Sequence, residues 1–252
     1  MKGADFVASF AAETHVDRSI VGAKEFVMTE IFGANTLMEV ANRFGVKKFV
    51  LVSTDEVYGE IEKGSFNETD PLQPRNPYAA TKAGADLLAL SFFETYGTPV
   101  IITRTTNNFG PFQHPEKFMP KIITFLLMNK KIPIYGNGKN VRDWIFVKDN
   151  CAAIDLILNK GKAGEAYNIC AKNELTNIEV AEKIIELLGK SRDSLDFVPD
   201  RPGHDKRYSL DCSKVKSLGW SCRENFNTGL EKTLKWYKDN EWWWKPLIEK
   251  MG

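Results

Sequence analysis

The residues of this chain best equipped for chemistry are a tyrosine, a lysine and two adjacent acids. Tyr78 and Lys82 stand four apart, so on a helix they share one face. A free phenol ionises near pH 10 and is a poor base at neutrality. An ammonium beside it favours the phenolate, and the pair can then take a proton from a hydroxyl. By itself this is a weak signal, because most such pairs are surface contacts on helices. Asp55 and Glu56 sharpen it. They follow the strand-like run Lys48–Ser53 in the order Thr54-Asp55-Glu56-Val57-Tyr58-Gly59. Ligands of open parallel sheets bind beyond the carboxyl ends of the strands. Adjacent, partly desolvated carboxylates tend to hold one proton between them, which suits an acid and a base. The competing reading is a solvated strand end that caps the next turn.

Positioning these residues requires strands and helices in alternation, and the patterning supplies them. Asp5–Ala12 reads as a buried strand and Ala23–Phe44 as a helix ended by Gly45. Lys48–Ser53 is a second strand. Pro77–Tyr96 is a helix with Asn76 as N-cap, Pro77 at its first position and Gly97 beyond its end. Val100–Arg104 is a third strand. The alternation predicts an α/β fold with a parallel sheet. Beyond residue 112 the pattern is less regular. Helices are expected over Lys117–Asn129, Lys148–Asn159, Asn177–Leu188 and Thr228–Lys238, and short strands over Pro133–Gly138 and Asp143–Val147. Leu195–Asp211 reads as loop. The expectation is a Rossmann-like lobe over 1–112, a smaller α+β substrate lobe over 113–252 with possible crossing back, and a cleft between them. Trp242, Trp243 and Trp244 suit either a docking patch or the edge of a core.

Composition narrows the function classes. The 252 residues carry 34 Lys and Arg against 33 Asp and Glu, a net charge of +1. No basic excess argues for nucleic acid as a partner. No apolar run is long enough to span a membrane, and no secretory signal peptide is expected. The four cysteines (Cys151, Cys170, Cys212 and Cys222) and three histidines are dispersed, so no metal site is expected. Reduced, buried cysteines in a cytoplasmic protein are the plain expectation.

Several segments, taken in order, carry a resemblance. They are Phe10-Ala11-Ala12-Glu13-Thr14-His15-Val16-Asp17-Arg18-Ser19, Ser53–Gly59, Tyr78-Ala79-Ala80-Thr81-Lys82, Arg104–Pro111, Arg142-Asp143-Trp144 and Asp200-Arg201-Pro202-Gly203-His204-Asp205. Over nearly the whole chain this resembles the dTDP-glucose 4,6-dehydratases, extended members of the short-chain dehydrogenase/reductase family. The Thr-Asp-Glu run is the specific part, because related epimerases usually carry small residues there. The resemblance implies NAD as cofactor and a nucleotide sugar as substrate. Tyr78, supported by Lys82, would deprotonate the 4-hydroxyl while hydride passes from carbon 4 to NAD+. Glu56 would remove the proton at carbon 5, Asp55 would protonate the departing 6-hydroxyl, and hydride would return to carbon 6. Thr54 would orient the sugar. Phe10, Ala11, Ala12, Glu13, Thr14, Thr29, Tyr78, Lys82 and Asn108 match cofactor contacts. Thr14, Thr54, Asn107, Lys117, Phe118, Pro133, Tyr135, Arg142, Asn177, Arg201 and His204 match substrate contacts, with the two guanidinium forks suited to a pyrophosphate. The resemblance also implies a homodimer through Ala23–Phe44 and Pro77–Tyr96.

One departure is large. The family's Gly-x-x-Gly-x-x-Gly loop, whose backbone amides hold the NAD pyrophosphate, does not occur in the chain. The chain begins about where the family's fourth strand begins. The expected fold is therefore an N-terminally truncated Rossmann-like sheet with an open parallel edge. Three readings stand: a 4,6-dehydratase whose isolated chain is inactive or nearly so, a sugar-nucleotide 4-epimerase, and a non-catalytic sugar-nucleotide-binding remnant.

Overall fold

The structure is a computed structural model, and residues 1–250 are described. In chain order the strands are β1 Phe6–Ser9, β2 Lys48–Thr54, β3 Val100–Thr105, β4 Asn107–Phe109, β5 Ile132–Tyr135, β6 Val141–Phe146, β7 Ala166–Ile169, β8 Glu174–Thr176 and β9 Leu195–Val198. The helices are α1 Val16–Val21, α2 Lys24–Phe26, α3 Ala34–Phe44, α4 Pro77–Tyr96, α5 Phe118–Leu127, α6 Val147–Lys160, α7 Asn177–Leu187, α8 Ser213–Ser217, α9 Phe226–Asp239 and α10 Glu241–Glu249. The chain forms two compact units and crosses between them repeatedly. The first holds Met1–Thr106, Asn150–Cys170 and Arg207–Ser221; the second holds Asn107–Asp149, Ala171–Lys206 and Cys222 onward.

The first unit is built on an all-parallel sheet of order β1-β2-β3-β7. Its two central strands are runs of Val, Ile, Leu and Phe, as burial on both faces requires. Phe49, Leu51, Val100 and Ile102 pack with Met38 and Ala41 of α3 and Ala85, Ala89 and Phe92 of α4. Both helices end on a glycine in the left-handed region, Gly45 at φ 62° and Gly97 at φ 68°, where no Cβ is tolerated cheaply. Helix α4 keeps the expected start, with the Asn76 side chain accepting from the Ala79 amide and Pro77 in the first turn.

Three expectations are corrected here. The first strand is four residues rather than eight, and only Ser9 in it is buried, because β1 has one described neighbour, β2. The 23–44 segment is helical but not uniformly α: Val27–Gly33 form a π-helix between α2 and α3. The cysteines are neither all reduced nor all buried. Cys170, closing β7, is bonded to Cys212, whose Cα lies 5.8 Å away, while Cys151 is exposed and Cys222 half-buried. Residues 42 apart in sequence meet there through tertiary folding, which spacing does not reveal.

The second unit contains a three-stranded sheet, β4-β6-β8, and the parallel pair β5-β9. The β9 strand lies where the sequence reads as loop. Phe109, Trp144, Phe146, Val180, Ile184, Leu230 and Trp244 share its core. Helix α7 opens with a reciprocal capping box between Thr176 and Glu179. The three tryptophans lie on α10. Trp244 is fully buried and donates to the Tyr237 carbonyl, Trp243 packs on Trp236, and Trp242 is 69% exposed. No helix among the described residues is long and apolar enough to cross a membrane. No group of three or more His, Cys, Asp or Glu among them is arranged to hold a metal ion.

Candidate active site

In the first unit, the acids and the phenol converge at the carboxyl end of β2. That strand runs directly into a 3₁₀ turn, Asp55–Tyr58, which Thr54 caps by accepting from the Glu56 amide at 3.3 Å. The Thr54 hydroxyl also donates to Asp55 Oδ1 at 3.2 Å. Asp55 is buried and Glu56 half-buried. Glu56 Oε2 accepts from Asn76 Nδ2 at 3.1 Å and from the Tyr208 hydroxyl at 3.4 Å. Asn76 is the N-cap of α4, so the glutamate is tied to the helix end that carries Tyr78, two residues on. One turn further, Lys82 Nζ donates 2.7 Å to the Val52 carbonyl of β2. The turn is braced behind the acids by Arg104, which bonds Asp86 and the Tyr58 hydroxyl.

The electrostatics differ from the sequence-based expectation. Tyr78 is buried, and its phenol lies well above the ordinary tyrosine value, not below it. Burial is the main cause; the charges of Glu56, Glu30 and Asp55 add to it, against a hydrogen bond with the Thr54 side chain. Lys82, also buried, forms an ion pair with Glu30 at 3.1 Å. Glu30, Asn76 and Tyr208 are the neighbours that the motif reading passes over. The signal for Glu30 is a lone carboxylate within the apolar stretch Phe26–Phe32; for Tyr208 there is none.

Of the matched cofactor positions, Ala11 and Thr29 line a cavity of about 390 Å³ in the first unit, with Ser9 and Glu30 also in its wall. Ala12, Glu13 and Thr29 are half-buried, and Phe10, Ala11 and Thr14 are exposed. The donor set here fits the ribose end of a dinucleotide. Lys82 has three N–H donors, of which two are engaged by the Val52 carbonyl and Glu30, and Tyr78 and Glu30 add hydrogen-bonding oxygens. No glycine-rich run of the pyrophosphate-binding kind occurs in the 252 residues.

The second unit holds most of the matched substrate positions. Tyr135 and His204 make an edge-to-face contact at 6.2 Å, and His204 bonds Asp200 at 2.6 Å. The His204 imidazolium is disfavoured, first by burial and then by the Arg201 and Arg142 charges, against the pull of Asp200. Arg142, buried, donates to the Asp205 and Val141 carbonyls. Two guanidinium groups and a histidine thus converge, as an anion site requires. Phe118 stacks on Trp144 at 5.8 Å. Asn107 and Asn108 lie on β4, Pro133 on β5, Lys117 just before α5, and Asn177 opens α7.

A parallel sheet with acids at a strand end and a Tyr-x-x-x-Lys pair on the next helix defines a Rossmann-like dehydrogenase-type enzyme fold. Residues 2–233 match the family model of GDP-mannose 4,6 dehydratase, and the chain belongs to that family. Within it, the chain is 50% identical over 246 residues to a dTDP-glucose 4,6-dehydratase of Streptomyces niveus, covering 97% of this chain and 73% of the relative. It is 54% identical over 234 residues to the low-salt glycan biosynthesis protein Agl12 of Haloferax volcanii, covering 93% of this chain and 76% of the relative. Its fold is similar, at a TM-score of 0.96 and 48% identity, to DesIV, a dTDP-glucose 4,6-dehydratase from Streptomyces venezuelae solved with NAD bound. The match covers 98% of this chain and 77% of that one.

Proposed function

We propose that the site is that of a dTDP-glucose 4,6-dehydratase, a hydro-lyase acting on a nucleotide sugar in the cytoplasm. The observation that carries this reading is the tether of Glu56 to Asn76 at the start of the helix bearing Tyr78. It couples an acid at a strand end to an alcohol-handling phenol, and two proton transfers at neighbouring sugar carbons need that coupling. In this reading Tyr78 takes the 4-hydroxyl proton, with Thr54 hydrogen-bonded to the sugar oxygen. Glu56 takes the proton from carbon 5, which a carbonyl at carbon 4 acidifies. Asp55 gives a proton to the 6-hydroxyl, which leaves as water. Ala11, Thr29, Tyr78 and Lys82 would hold NAD, which supplies a reversible two-electron acceptor for carbon 4 and returns the electrons to carbon 6. Arg142, Arg201 and His204 would take the pyrophosphate. The acids disfavour a 4-epimerase, which eliminates nothing at carbon 6.

The exposed apolar side chains Phe32 and Leu87, on the π-helix and α4, support a homodimer through those helices.

The test is incubation with dTDP-glucose and increasing NAD+, read as absorbance after alkali, where 4-keto-6-deoxy sugars absorb and the substrate does not. Product formation that Tyr78→Phe and Glu56→Gln abolish is the expected result. Tight dTDP-glucose binding by calorimetry with no product at any NAD+ concentration would overturn the dehydratase reading.

A further inference from the structure

Behind the acids lies a buried polar cluster that the proposed reaction does not use. Arg104 on β3 stands beside Ser53 of β2, just ahead of the turn that carries the acids. Its guanidinium is buried and reaches two elements. Nε donates to Asp86 Oδ2 of α4 at 2.8 Å, and Nη1 donates to the Tyr58 hydroxyl at 2.7 Å. That hydroxyl in turn donates to Asn168 Oδ1 of β7 at 2.9 Å. The Tyr58 ring stacks on Phe66, with ring centres 5.0 Å apart. Tyr58 is 1% exposed, so these bonds form in a setting of low dielectric, where they are strong.

Tyr58 ends the 3₁₀ turn that Asp55 opens. Only Glu56 and Val57 stand between them, so the place where Tyr58 is anchored sets the place of both acids. Asp86 lies one helical turn beyond Lys82. The guanidinium fork therefore bridges the helix that bears Tyr78 and the turn that bears Asp55 and Glu56. A planar group with fixed donors can do this, and a flexible ammonium cannot. Tyr78 and Lys82 have separate supports. The Tyr78 backbone N–H donates to Ser19 Oγ at 3.2 Å, and Lys82 reaches the Val52 carbonyl. We propose that Tyr58, gripped by Arg104 and Asn168, is a positioning residue for Asp55 and Glu56, whose hydroxyl serves the elimination of water and not the oxidation at carbon 4. The assignment to one step rests on the dehydratase reading; the anchoring of the turn does not.

The test separates the two halves of the reaction. Tyr58→Phe removes one hydroxyl and keeps the stack on Phe66 and the Arg104–Asp86 pair. Wild type and variant are incubated with dTDP-glucose and NAD+, quenched, and treated with borodeuteride, which marks any sugar holding a ketone at carbon 4. A marked hexose has been oxidised but not dehydrated; a marked 6-deoxyhexose has lost water. The variant is expected to form product more slowly by about tenfold or more, as small misplacements of reacting groups do. It is also expected to give a larger share of marked hexose than wild type. Arg104→Lys, which keeps a charge for Asp86 but not the fork, is expected to do the same. In Tyr58→Phe, an unchanged rate, or a slower rate with an unchanged share of marked hexose, overturns the proposal. A second readout needs no turnover. Hydrogen exchange in the free variant should quicken at the Glu56 amide, which Thr54 holds, and not within α4. Equal exchange of that amide in wild type and variant overturns the proposal. Absence of product from wild type, with that amide exchanging faster in the variant, supports the anchoring and counts against the dehydratase reading alone.

Discussion

Tyr78 shows how burial can reverse a motif's usual meaning. Four-residue spacing puts an ammonium on the same helix face, yet the phenol is raised, because desolvation and the charges of Glu56, Glu30 and Asp55 outweigh the Thr54 hydrogen bond. The sign of the resulting pH effect is fixed. A group that ionises at higher pH in the folded than in the unfolded chain contributes stability that is complete below the unfolded value, near pH 10 for tyrosine. That contribution is lost as pH rises through the folded value. Melting temperatures of wild type and Tyr78→Phe compared from pH 8 to pH 11 should therefore diverge above about pH 10, with the variant gaining relative to wild type. A difference independent of pH would show that Tyr78 ionises normally in the folded chain.

At the scale of elements, the N-terminus of α4 has two roles, because Asn76 caps the helix with its oxygen and holds Glu56 with its nitrogen. Replacement separates them. Asn76→Ala should lose about 1 kcal/mol of stability, the usual value of an N-cap. Asn76→Ser keeps a capping oxygen without the reach to Glu56, and should remain within about 0.5 kcal/mol of wild type in urea unfolding. In the alkali assay, both should lower product formation. Equal stability losses for the two variants would place the cost in the tether and not in the cap. The π-helix makes a related point. Period-3.6 patterning identifies a helix over 23–44 but not the one-residue widening within it.

Across the first unit, the Cys170–Cys212 bond joins the end of β7 to the segment carrying Tyr208, whose hydroxyl reaches Glu56. The loop it closes spans 42 residues, for which chain-entropy arguments give about 4 kcal/mol. Thermal unfolding with and without a strong reductant should show a lower midpoint when reduced, and Cys170→Ser should be insensitive to reductant. An unchanged wild-type midpoint would mean that the bond adds no stability. In the second unit, Tyr135, Arg142, Arg201 and His204 come from β5, β6 and the loop after β9, and their assembly depends on the β5-β9 pairing that polar and proline-rich spacing conceals.

Sequence by itself determined what is local: the Tyr78–Lys82 face, the Asn76 cap, the glycine ends of α3 and α4, and the acids directly after β2. Each depends on residues within a few positions, so spacing and residue type suffice. Only the tertiary structure decided the pairing of Lys82 with Glu30, the meeting of Glu56 with Tyr208, the disulfide and the direction in which Tyr78 is shifted. The first three depend on contacts between residues 42 to 152 positions apart and the last on removal from water, and the path of the chain sets both.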